Sequence, residues 1–128
     1  MKFSDFSQSG KPSKADEYLG LLMAAQAYFH SAHFETKSYA RHKAYDFIFS
    51  ELPDLIDKFG EQYLGYSGRK YTPSISDASK LPTDTIKMID HILDQSNSIY
   101  KEMPPAIQST IDDITGMFYQ SKYLLSLE

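Results

Sequence analysis

Apolar residues recur at helical spacing in four separate stretches of the chain. In the first stretch, apolar side chains recur every three or four residues, which predicts a helix over about residues 14–33; they are Tyr18, Leu22, Ala25, Phe29 and Ala32. Ser13 followed by Asp16 is typical of a capping box, in which each side chain accepts a hydrogen bond from the backbone of the other residue. We therefore expect this helix to begin directly after Ser13.

The second stretch carries an apolar stripe from Tyr45 to Tyr63 and predicts a second helix. Pro53 lies in its middle, where it removes one backbone hydrogen bond and is expected to kink the helix. Gly65 and Gly68 follow the stripe and are expected to end it. Only a few residues separate the first two helices, so we expect them to be antiparallel neighbours.

The third and fourth stretches predict helices over about residues 82–101 and from Pro105 nearly to the end of the chain. Pro104 and Pro105 separate them, because proline breaks a helix but is tolerated in a first turn. Residues 66–80 have no apolar period. At about 3.3 Å per residue this connection can span roughly 50 Å, which is enough to run the length of a helical bundle.

These elements predict an all-α fold, a four-helix up-down bundle with one long crossover between the second and third helices. That connectivity is the one found in ferritin-like folds. We expect residues 13–128 to form the bundle. Residues 1–12 are rich in serine and contain Gly10 and Pro12, so we interpret them as a flexible N-terminal arm.

Composition excludes several kinds of protein. The chain has no cysteine, which excludes disulfides, thiolate zinc sites and thiol nucleophiles and agrees with a cytoplasmic location. No apolar run approaches the roughly 20 residues that a membrane span needs, and the first residues lack a secretory signal. The formal net charge is −4, and acidic residues dilute the lysines near the N-terminus. We therefore do not expect DNA binding.

The stretch from residue 30 to residue 61 contains two imidazoles and three carboxylates, which are side chains that bind iron, manganese or zinc. They are His30, His42, Asp46, Asp57 and Glu61. On one helix the last four project within about a quarter of a turn, but His42 and Asp57 lie about 22 Å apart along the axis. They therefore form two half-sites, His42 with Asp46 and Asp57 with Glu61.

A two-fold axis that crosses the second helix near Pro53 would bring the two kinds of half-site together. It sets the His42 half-site of one subunit opposite the Asp57 half-site of its partner, twice in each dimer. His30 would join His42 across the short link between the first two helices. The spacing thus predicts a homodimer or larger homo-oligomer with metal sites at the two-fold interface.

The spacing of these five residues resembles the ferroxidase signature of the Dps family, the mini-ferritins. The intervals are twelve, four, eleven and four residues. The resemblance implies a hollow shell of four-helix bundles that oxidises Fe(II) with oxygen or peroxide and stores ferric mineral. Iron would be the metal, with zinc or manganese as other candidates, and no catalytic residue would be separate from the metal ligands. The chain departs from the family pattern at Ser31, Glu35 and Pro53.

Two functions follow from this interpretation. The first is a Dps-like ferroxidase whose five ligands hold iron between subunits. The alternative is a non-catalytic ferritin-like bundle that acts as an oligomerisation or partner-binding module, in which the same residues are ordinary polar positions on helix surfaces. Asp57 and Glu61 favour a cation, because like charges four residues apart on a helix repel. His33, three residues beyond His30, is a candidate auxiliary ligand, but we expect it to face solvent at a helix end.

Overall fold

The computed structural model describes residues 10–127, and these residues contain four α-helices and one short 3₁₀ helix, without a β-strand. The helices are α1 (Lys14–Glu35), α2 (Tyr39–Ser67), the 3₁₀ helix (Ala78–Lys80), α3 (Thr85–Tyr100) and α4 (Pro105–Leu125). The predicted all-α four-helix bundle is confirmed. The N-terminal arm was expected over residues 1–12, and residues 1–9 of it lie outside the described residues.

The helix ends follow the signals in the sequence. The backbone N–H of Asp16 donates to Ser13 Oγ at 3.0 Å, and the N–H of Ser13 donates to Asp16 Oδ2 at 2.9 Å, so the capping box is formed. Gly68 ends α2 in the left-handed conformation, with φ 67°, which glycine adopts without strain. The helix α2 continues as one α-helix through Pro53.

The helices form a ring in which each packs against two others. The helix α1 packs on α2 and α3, and α4 completes the ring by packing on the same two helices. The start of α3 lies beside the start of α2, because Thr85 Oγ1 is 3.0 Å from the hydroxyl of Tyr45. Thr110, near the start of α4, donates to Gln62 near the end of α2. Therefore α3 runs parallel to α2, and α4 runs antiparallel to it.

The crossover between α2 and α3 must return along the whole bundle, and it does so against α1. The N–H of Ser76 donates to the carbonyl oxygen of Gly20 at 3.4 Å. A Cβ at position 20 would lie 1.8 Å from the carbonyl oxygen of Ser74, so only glycine allows this approach. Farther along, the hydroxyl of Tyr28 donates to the carbonyl oxygen of Pro82 at 2.7 Å. A backbone hydrogen bond and a tyrosine hydroxyl therefore hold the crossover on α1.

The core consists of the apolar stripes that define the four helices. Its largest fully buried side chains are Phe29, Phe59 and Phe118, together with leucine, isoleucine and methionine from all four helices. One polar chain crosses this core. The Tyr18 hydroxyl donates to Ser96 Oγ at 2.7 Å, and Ser96 Oγ donates to the carbonyl oxygen of Ile92 at 2.8 Å. Burial raises the pKa of Tyr18, and its hydrogen bond satisfies the hydroxyl inside the core.

The described residues contain no helix that is both long enough and apolar enough to span a membrane.

We expect Gly20→Ala to lower the free energy of unfolding by about 1–3 kcal/mol, because the new methyl group displaces the crossover backbone. Gly116→Ala is the matched control. Nothing lies within 4 Å of a Cβ at Gly116, which is an exposed glycine inside α4. Its replacement by alanine should therefore raise the free energy of unfolding by about 0.5–1 kcal/mol. Urea denaturation of the three proteins measures both changes. A stabilising effect of Gly20→Ala equal to that of the control would contradict the close approach.

We also expect the protein to lose stability at alkaline pH as the Tyr28 hydroxyl loses its proton. Burial, followed by the negative charge of Asp84, raises the pKa of Tyr28 to about 12 from its ordinary 10.0. The unfolded chain releases this proton first, so the stabilisation is present below pH 10 and is lost as the pH rises toward 12. Tyr28→Phe cannot titrate, but it loses the hydrogen bond to Pro82 and is about 1 kcal/mol less stable at pH 8.

The measurement is the difference in unfolding free energy between wild type and Tyr28→Phe from pH 8 to pH 12. This difference should narrow above pH 10. A constant difference across the range would show that the Tyr28 hydroxyl titrates alike in the folded and unfolded chains.

Candidate functional site

The five residues expected to bind metal lie at two separate places along the first two helices. His30 is exposed on α1, and His42 and Asp46 are partly buried in the first half of α2. Asp57 and Glu61 are exposed in the second half of α2. Between residues 10 and 127, no three His, Asp or Glu side chains form a group that could hold a metal ion. In a single chain these residues do not fit a metal, and completion by a second subunit stays a prediction.

The Asp57 half-site has a lysine beside it in the sequence, but that lysine reaches another helix. Lys58 Nζ lies 3.7 Å from Asp113 Oδ2 on α4, and both side chains are about half exposed. An exposed ion pair of this kind contributes little to stability.

His42 makes its main contacts with His33, at the junction of α1 and α2. His42 Nδ1 is 2.9 Å from the carbonyl oxygen of His33, and His33 Nδ1 is 3.2 Å from the carbonyl oxygen of His42. Since a carbonyl oxygen only accepts, each Nδ1 donates. The two rings stack with their centroids 3.6 Å apart. The expectation that His33 faces solvent is therefore wrong, because it is partly buried and ties the end of α1 to the start of α2.

Other rings continue this packing. The His30 ring stacks on that of Phe49, at a centroid distance of 4.2 Å, and makes an angle of 20° with the ring of Phe34, whose centroid is 5.3 Å away. The Tyr39 ring lies nearly parallel to that of His42, at 6.5 Å. We call the whole cluster the imidazole–aromatic corner, defined as His30, His33, Phe34, Tyr39, His42 and Phe49. Ring packing thus accounts for His30 and His42 without a metal ion.

A second feature is a groove of about 940 Å³ between the second half of α1, the start of α2 and the crossover. Small and apolar side chains line most of it, among them Met23, Ala24, Ala27, Ala32 and Leu81. This volume and lining are typical of a ligand-binding cleft.

The polar end of the groove contains linked hydroxyl and guanidinium groups. Arg41 Nη1 donates to the Tyr45 hydroxyl at 3.3 Å, and that hydroxyl lies 3.0 Å from Thr85 Oγ1. Glu35 and Asp84 add two carboxylates to the lining.

The groove does not follow from the sequence pattern. Its outer wall is the crossover, whose residues have no apolar period, and Tyr28 and Tyr45 were expected mainly to pack in the core. The one local signal was Gly20, a glycine inside a predicted helix, which often marks a close backbone approach or a packing contact.

Comparison with known proteins gives two matches. The model of a family of unknown function, DUF5856, matches residues 33–125. An "uncharacterized 14.6 kDa protein in mobD-ri intergenic region" of Enterobacteria phage T4 is 98% identical over 128 residues, which is 100% of both chains. No solved structure matches the chain.

These matches overturn the resemblance to the Dps mini-ferritins, because neither is to a ferritin or a Dps protein. The four-helix bundle is correct, but its ferritin-like identity has no support from them. The resemblance rested on five polar residues at helical spacing. Such spacing also arises on solvent-facing helix surfaces and, at His30 and His42, from the packing of aromatic rings. The family model covers most of the chain, and the chain belongs to the family of unknown function DUF5856.

Proposed function

We propose that the chain is a non-catalytic four-helix module that binds a segment of a partner polypeptide in the groove along α1. The observation that carries this proposal is the groove itself, about 940 Å³ between helices and crossover. The cytoplasmic location expected from the absence of cysteine is part of the proposal.

The lining of the groove favours an occupant with an aliphatic side chain. Ala24, Ala27 and Ala32 leave room beside α1 because their side chains are short. Ile75 borders the groove from the crossover and is 63% exposed. Full burial of such a side chain by an occupant contributes roughly 1.5–3 kcal/mol.

The polar end favours an occupant with a basic side chain or amide N–H groups. Two carboxylates, Glu35 and Asp84, line the groove beside a single guanidinium, that of Arg41. A carboxylate of the occupant would be repelled by the excess negative charge, whereas a lysine or arginine would be attracted.

The crossover favours a polypeptide over a small molecule. Asp77 and Leu81 have extended backbone conformations, and residues 69–77 have no regular secondary structure. Among the described hydrogen bonds, one backbone N–H of the crossover donates to α1, that of Ser76. Other exposed N–H and C=O groups of this segment can pair with the backbone of an extended peptide, as in strand addition.

Iron oxidation stays a prediction with less support than partner binding. Its five residues do not meet within one chain, so it requires a second subunit at α2. A homodimer or larger assembly would supply that subunit.

Selection of short peptides from a random library on the immobilised protein tests the groove. We expect enriched sequences to combine aliphatic residues with lysine or arginine. Ala27→Trp fills the groove from an exposed position on α1. It should weaken the binding of the most enriched peptide tenfold or more, as measured by fluorescence anisotropy. Gln120→Trp, at an exposed position on α4, should bind like wild type.

Three results would contradict the groove as the binding site. They are the absence of any enriched peptide, enrichment of acidic peptides, and equal binding by Ala27→Trp and wild type.

Anaerobic addition of Fe(II), followed by air, tests the non-catalytic assignment. We expect the ferric absorbance to develop no faster with the protein than in buffer, and light scattering of the same sample gives its mass. Asp57→Asn and Glu61→Gln are suitable variants because both side chains are exposed and each substitution keeps the size of the side chain. Rapid iron oxidation by an oligomeric wild-type protein, lost in both variants, would contradict the non-catalytic assignment and support iron oxidation as the function.

A further inference from the structure

The two most exposed large apolar side chains of the described residues lie close together in sequence, at the junction of α1 and α2. Phe34 is 75% exposed and Tyr39 is 76% exposed. Both belong to the imidazole–aromatic corner. Exposed apolar side chains grouped at one place on a surface are typical of interaction sites.

Each exposed ring lies beside other rings of the corner. The Phe34 ring is 5.3 Å from that of His30, at an interplanar angle of 20°, and 5.0 Å from that of His33. Tyr39 is nearly parallel to His42, which stacks on His33. A flat ring placed on the exposed face of Phe34 or Tyr39 would add to rings that are already packed together.

The inner rings are held in place before any ligand arrives. His33 and His42 each donate from Nδ1 to the backbone of the other residue, so neither ring rotates freely. Phe49 is partly buried between α1 and α2. A rigid surface loses little side-chain entropy when a ligand binds, which increases affinity.

The corner is basic although the chain is acidic. Residues 30–49, which span the corner, contain three cationic side chains, Lys37, Arg41 and Lys43, and two carboxylates, Glu35 and the partly buried Asp46. Lys37 and Lys43 are exposed, and Lys43 lies one helical turn beyond Tyr39 on the same face of α2. The first turn of α2 has no acidic residue, so the positive end of its helix dipole is not neutralised there.

We propose that this corner binds single-stranded nucleic acid, with bases stacked on Phe34 and Tyr39 and phosphates beside Lys37 and Lys43. Exposed aromatic rings with adjacent cationic side chains are the common basis of sequence-independent binding to single strands. A duplex keeps its base faces stacked inside, so it cannot use the rings. The contacts do not select a sugar, so both DNA and RNA fit.

This proposal differs from the expectation that the chain does not bind DNA. That expectation used the net charge of the whole chain and the lysines near its N-terminus. The corner lies far in sequence from those N-terminal lysines, and its local charge is positive whereas that of the whole chain is negative.

Fluorescence anisotropy with fluorescein-labelled oligothymidylate and oligouridylate of about 12 nucleotides tests the proposal, since single-strand sites span about 4–16 nucleotides. At about 50 mM salt we expect both strands to bind and a DNA duplex of equal length to bind at least tenfold more weakly. Binding of only one of the two single strands would identify the sugar and still support the site. The logarithm of affinity should fall with the logarithm of salt with a slope of about −1.4, from two phosphate contacts.

Substitutions separate stacking from charge. Phe34→Ala and Tyr39→Ala should each weaken binding about tenfold, which is the usual size of one base-stacking contact. Tyr123→Ala is the matched control, since Tyr123 is 63% exposed on α4, and it should leave binding unchanged. Lys37→Gln and Lys43→Gln should each reduce the salt slope by about 0.7, whereas Lys101→Gln, at the other end of the bundle, should not.

Circular dichroism and urea denaturation should show the same fold and stability for the variants, because all these side chains are exposed. The proposal is overturned if neither single strand binds at low salt or if the duplex binds equally well. It is also overturned if the lysine variants weaken binding while both ring variants bind like wild type, since the corner would then attract polyanions without stacking bases.

Discussion

The backbone contact between Gly20 and the crossover controls how the rest of the molecule is arranged. At this point the crossover lies directly on α1, and the carbonyl oxygen of Ser74 occupies the place where a side chain would be. Because the crossover is held there, it reaches the opposite end of the bundle before α3 begins. The helix α3 can then run parallel to α2 and pack on α1, and the groove forms between the crossover and α1.

Tyrosine hydroxyls add a second set of ties between the elements. Four tyrosines bury much of their rings at helix interfaces and direct their hydroxyls to a different element. They are Tyr18 with Ser96 on α3, Tyr28 with Pro82 in the crossover, Tyr45 with Thr85 at the start of α3, and Tyr63 with Ser13 before α1. A tyrosine can do both because one end of its side chain is apolar and the other forms hydrogen bonds. These bonds hold the ends of the helices in register.

The histidines show why one sequence pattern can have two structural explanations. The spacing of His30 and His42 is compatible with metal ligands contributed by adjacent helices. The same spacing brings the two side chains into the corner, where His42 pairs with His33 and His30 stacks on Phe49. In both cases imidazole occupies the junction of two helices, so periodicity cannot distinguish a ligand from a packed ring. The distinguishing residue is His33, whose backbone and ring both contact His42.

The sequence alone determined the features that depend on local interactions. These are the four helices, the capping box at Ser13, the left-handed end of α2 at Gly68 and a connection long enough to span the bundle. Each follows from residues within a few positions of one another. The tertiary structure alone decided which surfaces meet: the contact of Gly20 with the crossover, the groove, and the pairing of His33 with His42. These contacts join residues that are distant in sequence or lie on different elements, and their partners are set by packing. The exposure of Phe34 and Tyr39 was decided in the same way, because an aromatic residue at a helix end is buried or exposed according to what the rest of the chain places over it.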